Sequence, residues 1–263
     1  MAKKTETILL QKSHRAWLPA TTRLSSLCFF LIFLFTAHSL FADDAREKIY
    51  ARRTETAFLQ AQARFQANTN DPVAGWQFAR ASFDWADVPA NKPWRAEIAR
   101  SGMAACHRSL ELTNSAAAHY YLALNMGQLA RVELMGGLKL VREMEQEFAA
   151  TAGLDAHFDF AGAARGLGLL YRDAPGWPVS IGNRQKARQC LENAVALAPN
   201  YPENLLNLGE SNLKWDDTAG AKKQLAALNA LWPQAQKNLT GEAWEQSWDD
   251  WSKRRDDLRN SLN

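Results

Sequence analysis

Apolar residues at helical spacing dominate the chain from residue 72 onward. Leu205 and Leu208-Gly209 share one face of a segment that Pro202 opens. Ala221, Leu225 and Leu228 then recur at i, i+4 and i+7 on the next segment. One unit upstream the order repeats as Leu167-Gly168, Tyr171, Ala187, Leu191, Ala194 and Pro199. Pro199 and Pro233 stand 34 residues apart, and the pattern predicts two helices per unit with prolines between helices, where a missing N–H costs nothing. Gly168 and Gly209 let a second helix approach closely, and Ala187 and Ala221 do the same from the other side. One such pair cannot bury both its faces, so the units are expected to stack into an all-α solenoid with a continuous core.

Fainter stripes extend the array. Asp44 to Asn68 reads as an N-terminal capping helix with Ile49, Ala57, Ala61 and Phe65 near one face. Asp71-Pro72 opens the next helix, with Asp71 as acceptor for orphan N–H groups, and Trp76, Ala79 and Phe83 follow the first-helix pattern. Beyond the proline-bounded connection Val88 to Pro93, a helix to Leu112 carries Ile98, Gly102, Ala105, Cys106 and Ser109. The following unit starts near Ala116, packs Tyr120, Tyr121, Leu124 and Gly127, and runs to Met135 before Gly136-Gly137 breaks it. Leu138 to Ala152 is its partner, with Leu140, Met144 and Phe148 inward; this unit is longer than the period and its register stays open. Thr240 to Leu262 is the last helix, with Leu239 and a Thr240 cap before a stripe of Trp244, Trp248, Trp251, Leu258 and Leu262. It reads as a solenoid cap or as a helix that binds a partner.

The 34-residue period, with its small residues and prolines, resembles the tetratricopeptide repeat. Gly166-Leu-Gly-Leu-Leu-Tyr171, Ala174-Pro-Gly-Trp-Pro178, Ser180-Ile-Gly182 and the run from Ala198 to Leu206 look like a narrower bacterial envelope family, one that includes the T component associated with TRAP-type transporters. The likeness covers about residues 72 to 233. It implies a TPR-like α-solenoid of stacked antiparallel helix pairs with terminal capping helices, acting as a non-catalytic scaffold for a protein partner such as a transporter or solute-binding component. In that family binding uses the concave surface lined by first helices. The matching positions here are Gln77, Asp84, Tyr121, Asn125, Gln128, Arg165, Arg172, Leu206, Glu210 and Leu213. Arg165 and Arg172 suit a carboxylate or acidic peptide, and Tyr121, Leu206 and Leu213 offer apolar area. A small-molecule or lipid carrier using the same groove is the alternative reading.

Tyr171 and Ala187 lie 16 residues apart where a minimal repeat has nine, so Asp173 to Gly182 holds an insertion of seven. Trp177 and Ile181 either close one edge of a binding groove or pack down as a lid; buried aromatics favour the lid.

The N-terminus changes how the charge is read. Residues 1–42 combine a basic start, the apolar run Leu27 to Phe35 and Ser39-Leu-Phe-Ala42, the layout of a secretory signal cleaved after Ala42. An uncleaved anchor is the alternative, although the run is short of the ~20 residues that span a bilayer. The expected organisation is a leader over 1–42, a repeat domain over 43–240 and a capping helix over 241–263, in a periplasmic or secreted protein. Of 31 basic and 28 acidic residues the leader takes five and one, leaving 26 and 27. A near-neutral mature chain gives no electrostatic case for nucleic acid or anionic membrane.

Candidate chemistry is sparse. His107, His119 and His157 remain beyond the leader, and Cys106-His107 with His119 lacks a second ligand at chelating spacing, so no metal or cofactor is expected. Cys106 and Cys190 are expected as free thiols, and Cys28 sits in no lipid-attachment context. No phosphate loop or nucleophile motif occurs, and no catalytic residue is assigned.

Overall fold

Caps and buried stripes set the helix limits. The computed structural model describes residues 25–88, 91–133 and 136–263, with side chains from Arg46 onward. Two compact units divide the chain, Met1–Lys48 and Ile49–Asn263. The basic start of the leader lies outside the described residues, as do the side chains of its apolar run and Cys28. Helix α1, Ser25–Ala67, passes through Ala42 without interruption. Among the described residues no helix is long and apolar enough to cross a membrane.

The second unit is an all-α helical-repeat solenoid. Its helix pairs are α2 (Pro72–Asp87) with α3 (Arg95–Leu112), α4 (Ala116–Ala130) with α5 (Gly137–Leu154), α6 (Phe158–Asp173) with α7 (Arg184–Leu197), and α8 (Pro202–Lys214) with α9 (Thr218–Asn238). A final helix α10, Glu245–Ser261, packs on α8 and α9. The first helices α2, α4, α6, α8 and α10 touch in succession and form one layer, with the second helices outside it. Asp71 accepts from the Val73 N–H, Ser115 from Ala118, Asn183 from Lys186 and Asp217 from Gly220, so side chains satisfy helix starts across the array.

The small residues act where the spacing placed them. A Cβ on Gly168 would come within 2.6 Å of Leu191, and one on Gly209 within 3.0 Å of Leu258 and 3.3 Å of Gln224. Ala187, Leu191, Ala194, Ala221 and Leu228 are all fully buried on the second helices.

Four sequence expectations are corrected. On α1, Ile49 is 56% exposed and Ala57 is exposed, while Phe58 turns inward onto Phe78 and Trp85. Helix α4 ends at Ala130, short of Met135. Pro233 lies inside α9: buried Trp232, Ala235 and Leu239 hold the helix past it, offsetting the ~3 kcal/mol an interior proline costs. Thr240 caps nothing; Gly241, at φ +89°, turns the chain into a single 3-10 turn, Glu242–Trp244, before α10. The Trp251 and Leu258 stripe of α10 does face inward, with the Trp248 indole N–H donating to the Leu239 carbonyl at 2.7 Å.

Gly168→Ala is expected to destabilise the fold by about 1–3 kcal/mol through overpacking. Gly153→Ala, where a Cβ meets nothing within 4 Å, should be neutral or stabilising by up to about 1 kcal/mol. Urea unfolding of both variants checks the contrast.

Candidate functional site

The first-helix layer is built around a buried guanidinium. Arg165 on α6 is 6% exposed. It donates to the Asp159 carboxylate at 2.7 Å, to Asn204 Oδ1 at 3.1 Å, to the Tyr120 hydroxyl at 3.2 Å and to the Phe160 carbonyl at 3.3 Å. Burial alone would lower the Arg165 pKa, but Tyr120, Glu203 and Asp159 outweigh it and the guanidinium stays charged. The network joins α4 through Tyr120, α6 through Asp159 and Arg165, and α8 through Asn204. It also holds a strained turn: Asp159, Phe160 and Ala161 have φ of +50°, +54° and +62°, left-handed values that cost L-residues about 1–2 kcal/mol each. Asn204 Nδ2 donates to the Phe160 carbonyl at 3.0 Å from the other side. Gly162 completes the turn, since a Cβ there would lie 2.6 Å from the Tyr120 hydroxyl and 2.7 Å from its ring.

Most of the expected groove residues make seams of this kind. Asn125 is fully buried and donates to the Ala79 and Tyr121 carbonyls, both at 2.8 Å. Gln128 is buried and donates to Asp87, which Arg131 also holds. Arg172 chelates Asp173 and reaches Ser211 Oγ at 3.0 Å, linking α6 to α8. Leu206 is fully buried in a core with Tyr201, Trp232 and Trp251. Glu210 receives Arg254 of α10 through two bonds of 2.8 Å. Leu213 is half-buried, and Gln77 accepts from Arg64 at 2.7 Å. In this conformation Asn125 and Leu206 offer no surface to a partner.

What stays accessible is a strip that combines the expected Asp84 with Trp76, Phe158 and Phe160, none of which was expected in the groove. Tyr121 is buried, but Trp76 lies parallel to it at 5.9 Å and 6°, and Phe158 meets it edge-on at 6.2 Å. Phe160, 41% exposed, stacks on Tyr201 at 4.4 Å and meets Trp244 at 5.9 Å. Asp84 sits among these elements. Its side chain is 43% accessible, with Arg80 beside it at 4.0 Å. Poor solvation, and then Asp159 and Asp87 against the opposing pull of Arg80, raise its pKa to about 6. Tyr50 of α1 is pushed up to about 12 by burial and by Asp84 and Asp87, and it bonds Gln246 of α10. Arg53 donates to the Glu242 carbonyl at 2.9 Å and to Glu245 at 3.2 Å. Helix α1 thus reaches α10, the last helix of the layer.

The remaining candidates lie elsewhere. Trp177 is 88% exposed, so the lid expectation fails for it, whereas Ile181 packs against the core around Leu191. His119 lies between Glu147 and Asn114, and His107 and His157 are exposed. Among the described residues no group of three His, Cys, Asp or Glu side chains is placed to hold a metal. Cys106 and Cys190 are free thiols, and burial pushes both up, away from thiolate reactivity.

Fold and site together define a helical-repeat α-solenoid with polar seams and an accessible first-helix wall. Neither a family model nor a curated protein matches the chain.

For Asp84 the folded-state pKa lies above the ordinary 3.8, so its contribution to stability is lost as pH rises from about 4 through about 6. Asp84→Asn cannot ionise. It should match the wild type at pH 4 and exceed it at pH 7.5 by on the order of 1 kcal/mol, discounted for solvent screening of a half-exposed group. Denaturant titrations at the two pH values check it.

Proposed function

We propose that this chain is a non-catalytic envelope scaffold of the tetratricopeptide-repeat type, which holds a protein partner on the wall formed by its first helices. One observation carries the reading. After the seams are satisfied, Trp76, Arg80, Asp84 and Phe160 are still accessible on that wall. Rigid aromatic and charged side chains on regular helices suit a protein segment laid across several repeats, because they lose little entropy on contact. The leader pattern supports delivery to the periplasm or outside the cell, with residues 1–42 either cleaved or kept as an anchor. The resemblance to envelope repeat proteins supports a transporter or solute-binding component as the partner.

A carrier for a small amphiphile is the second reading. It is favoured by the amphiphilic composition of the wall, where Trp76 and Phe160 accompany Arg80 and Asp84.

A photo-crosslinking amino acid at Arg80, compared with one at Gly153 on α5, separates these readings in intact cells. A protein-sized adduct at Arg80 and none at Gly153 is expected. A lipid-sized adduct at Arg80 would favour the carrier, and equal labelling at both positions would contradict both readings.

A further inference from the structure

The insertion between α6 and α7 builds a second surface, separate from the first-helix wall. Its anchoring is unusually complete for an exposed loop. The Gly182 N–H donates to the Pro175 carbonyl at 2.9 Å, Asn183 donates to the Tyr171 carbonyl at 2.9 Å, and Val179 to that of Gly176 at 3.1 Å. Gly182 passes so close to the opposite strand of the loop that a Cβ would lie 2.0 Å from the Ala174 carbonyl. Ile181 and the buried Ser180 root the loop in the repeat core. From this base Trp177, between two prolines, projects at 88% exposure, with Val179 55% exposed two residues on. Among the described residues the ring makes no aromatic stack, so the insertion orders a large apolar side chain without burying it. Its hydrophobic area is left for a partner to bury.

The neighbouring surface indicates the partner's chemistry. Val179 lines a recess of about 510 Å³ with Leu138, Lys139, Arg142, Glu143 and Gln146 of α5. Leu138 is itself 43% exposed. Lys139 pairs with Glu143 at 3.2 Å. Arg142, exposed on the same helix, makes no ion pair or hydrogen bond among the described residues. The recess thus offers apolar floor and one uncompensated guanidinium, a donor fork shaped for a carboxylate.

We propose that Trp177, Val179 and Leu138, with Arg142, form a docking surface for an acidic segment of a partner protein, which places apolar side chains against Trp177 and a carboxylate on Arg142. Tryptophan and arginine anchors of an interface typically lose a tenfold or larger factor in affinity when truncated. Trp177→Ala removes no buried contact, so the variant keeps its fold, and circular dichroism verifies this. The probe is a fluorescein-labelled peptide of alternating leucine and glutamate, with a leucine–lysine peptide as its counterpart, measured by anisotropy on the full chain. The leucine–glutamate peptide should bind, Trp177→Ala and Arg142→Glu should each weaken it at least about tenfold, and Arg142→Glu should gain affinity for the lysine peptide. Equal binding of both peptides, or binding indifferent to Trp177, would overturn the proposal. So would a Trp177-dependent dimer in sedimentation, which would seat a second copy there.

Discussion

A guanidinium withdrawn from water ties three successive first helices together. Burying a charge is costly unless it is paired and hydrogen-bonded, and Arg165 meets that condition because α4, α6 and α8 each supply a partner. The geometry therefore leaves these helices little freedom to slide. The same bonds hold Asp159 to Ala161 in a left-handed turn that none of the three residues favours. That turn aims Phe160 at Tyr201 and Trp244, coupling the junction to the C-terminal aromatic core. Strain, charge and ring packing converge at one point in the stack.

This division of labour explains why the wall has its present composition. Residues that a repeat commonly spends on ligands, such as Asn125, Arg172 and Glu210, serve here to weld one repeat to the next. The wall keeps Arg80 and Asp84, which the seams do not need, and the accessible edges of Trp76 and Phe160, which they use only in part. The insertion obeys the same logic on the outside. Its backbone and Ile181 belong to the fold, and Trp177 does not.

The pairing of helices was legible because close approach leaves a mark in sequence: Gly168 faces Leu191, and Ala187 and Ala221 are buried where the period placed them. Asp71 and Pro72 were legible for a similar local reason, since capping chemistry sits within a few residues of the helix it starts. The junction was not. Left-handed residues that are neither glycine nor asparagine carry no signature, and arginine is ordinarily a surface residue, so nothing in the pattern marks Arg165 as buried. Pro233 misled because a local rule yielded to Trp232, Ala235 and Leu239, whose burial is decided by α10. Leu206 fell on a groove position by register alone; helix α10, whose placement no local pattern encodes, supplies the Trp251 that covers it. The pattern was thus legible where the repeat period sets burial, as at Ala187 and Leu191, and illegible where long-range contacts decide.

Native-state hydrogen exchange on Arg165→Met tests the junction most directly. If Arg165 fastens three helices, the substitution should lower amide protection in α4 and α8 as well as in α6, by more than in α2 and α3, which contribute nothing to the network. Loss confined to α6, or no loss at all, would contradict the account.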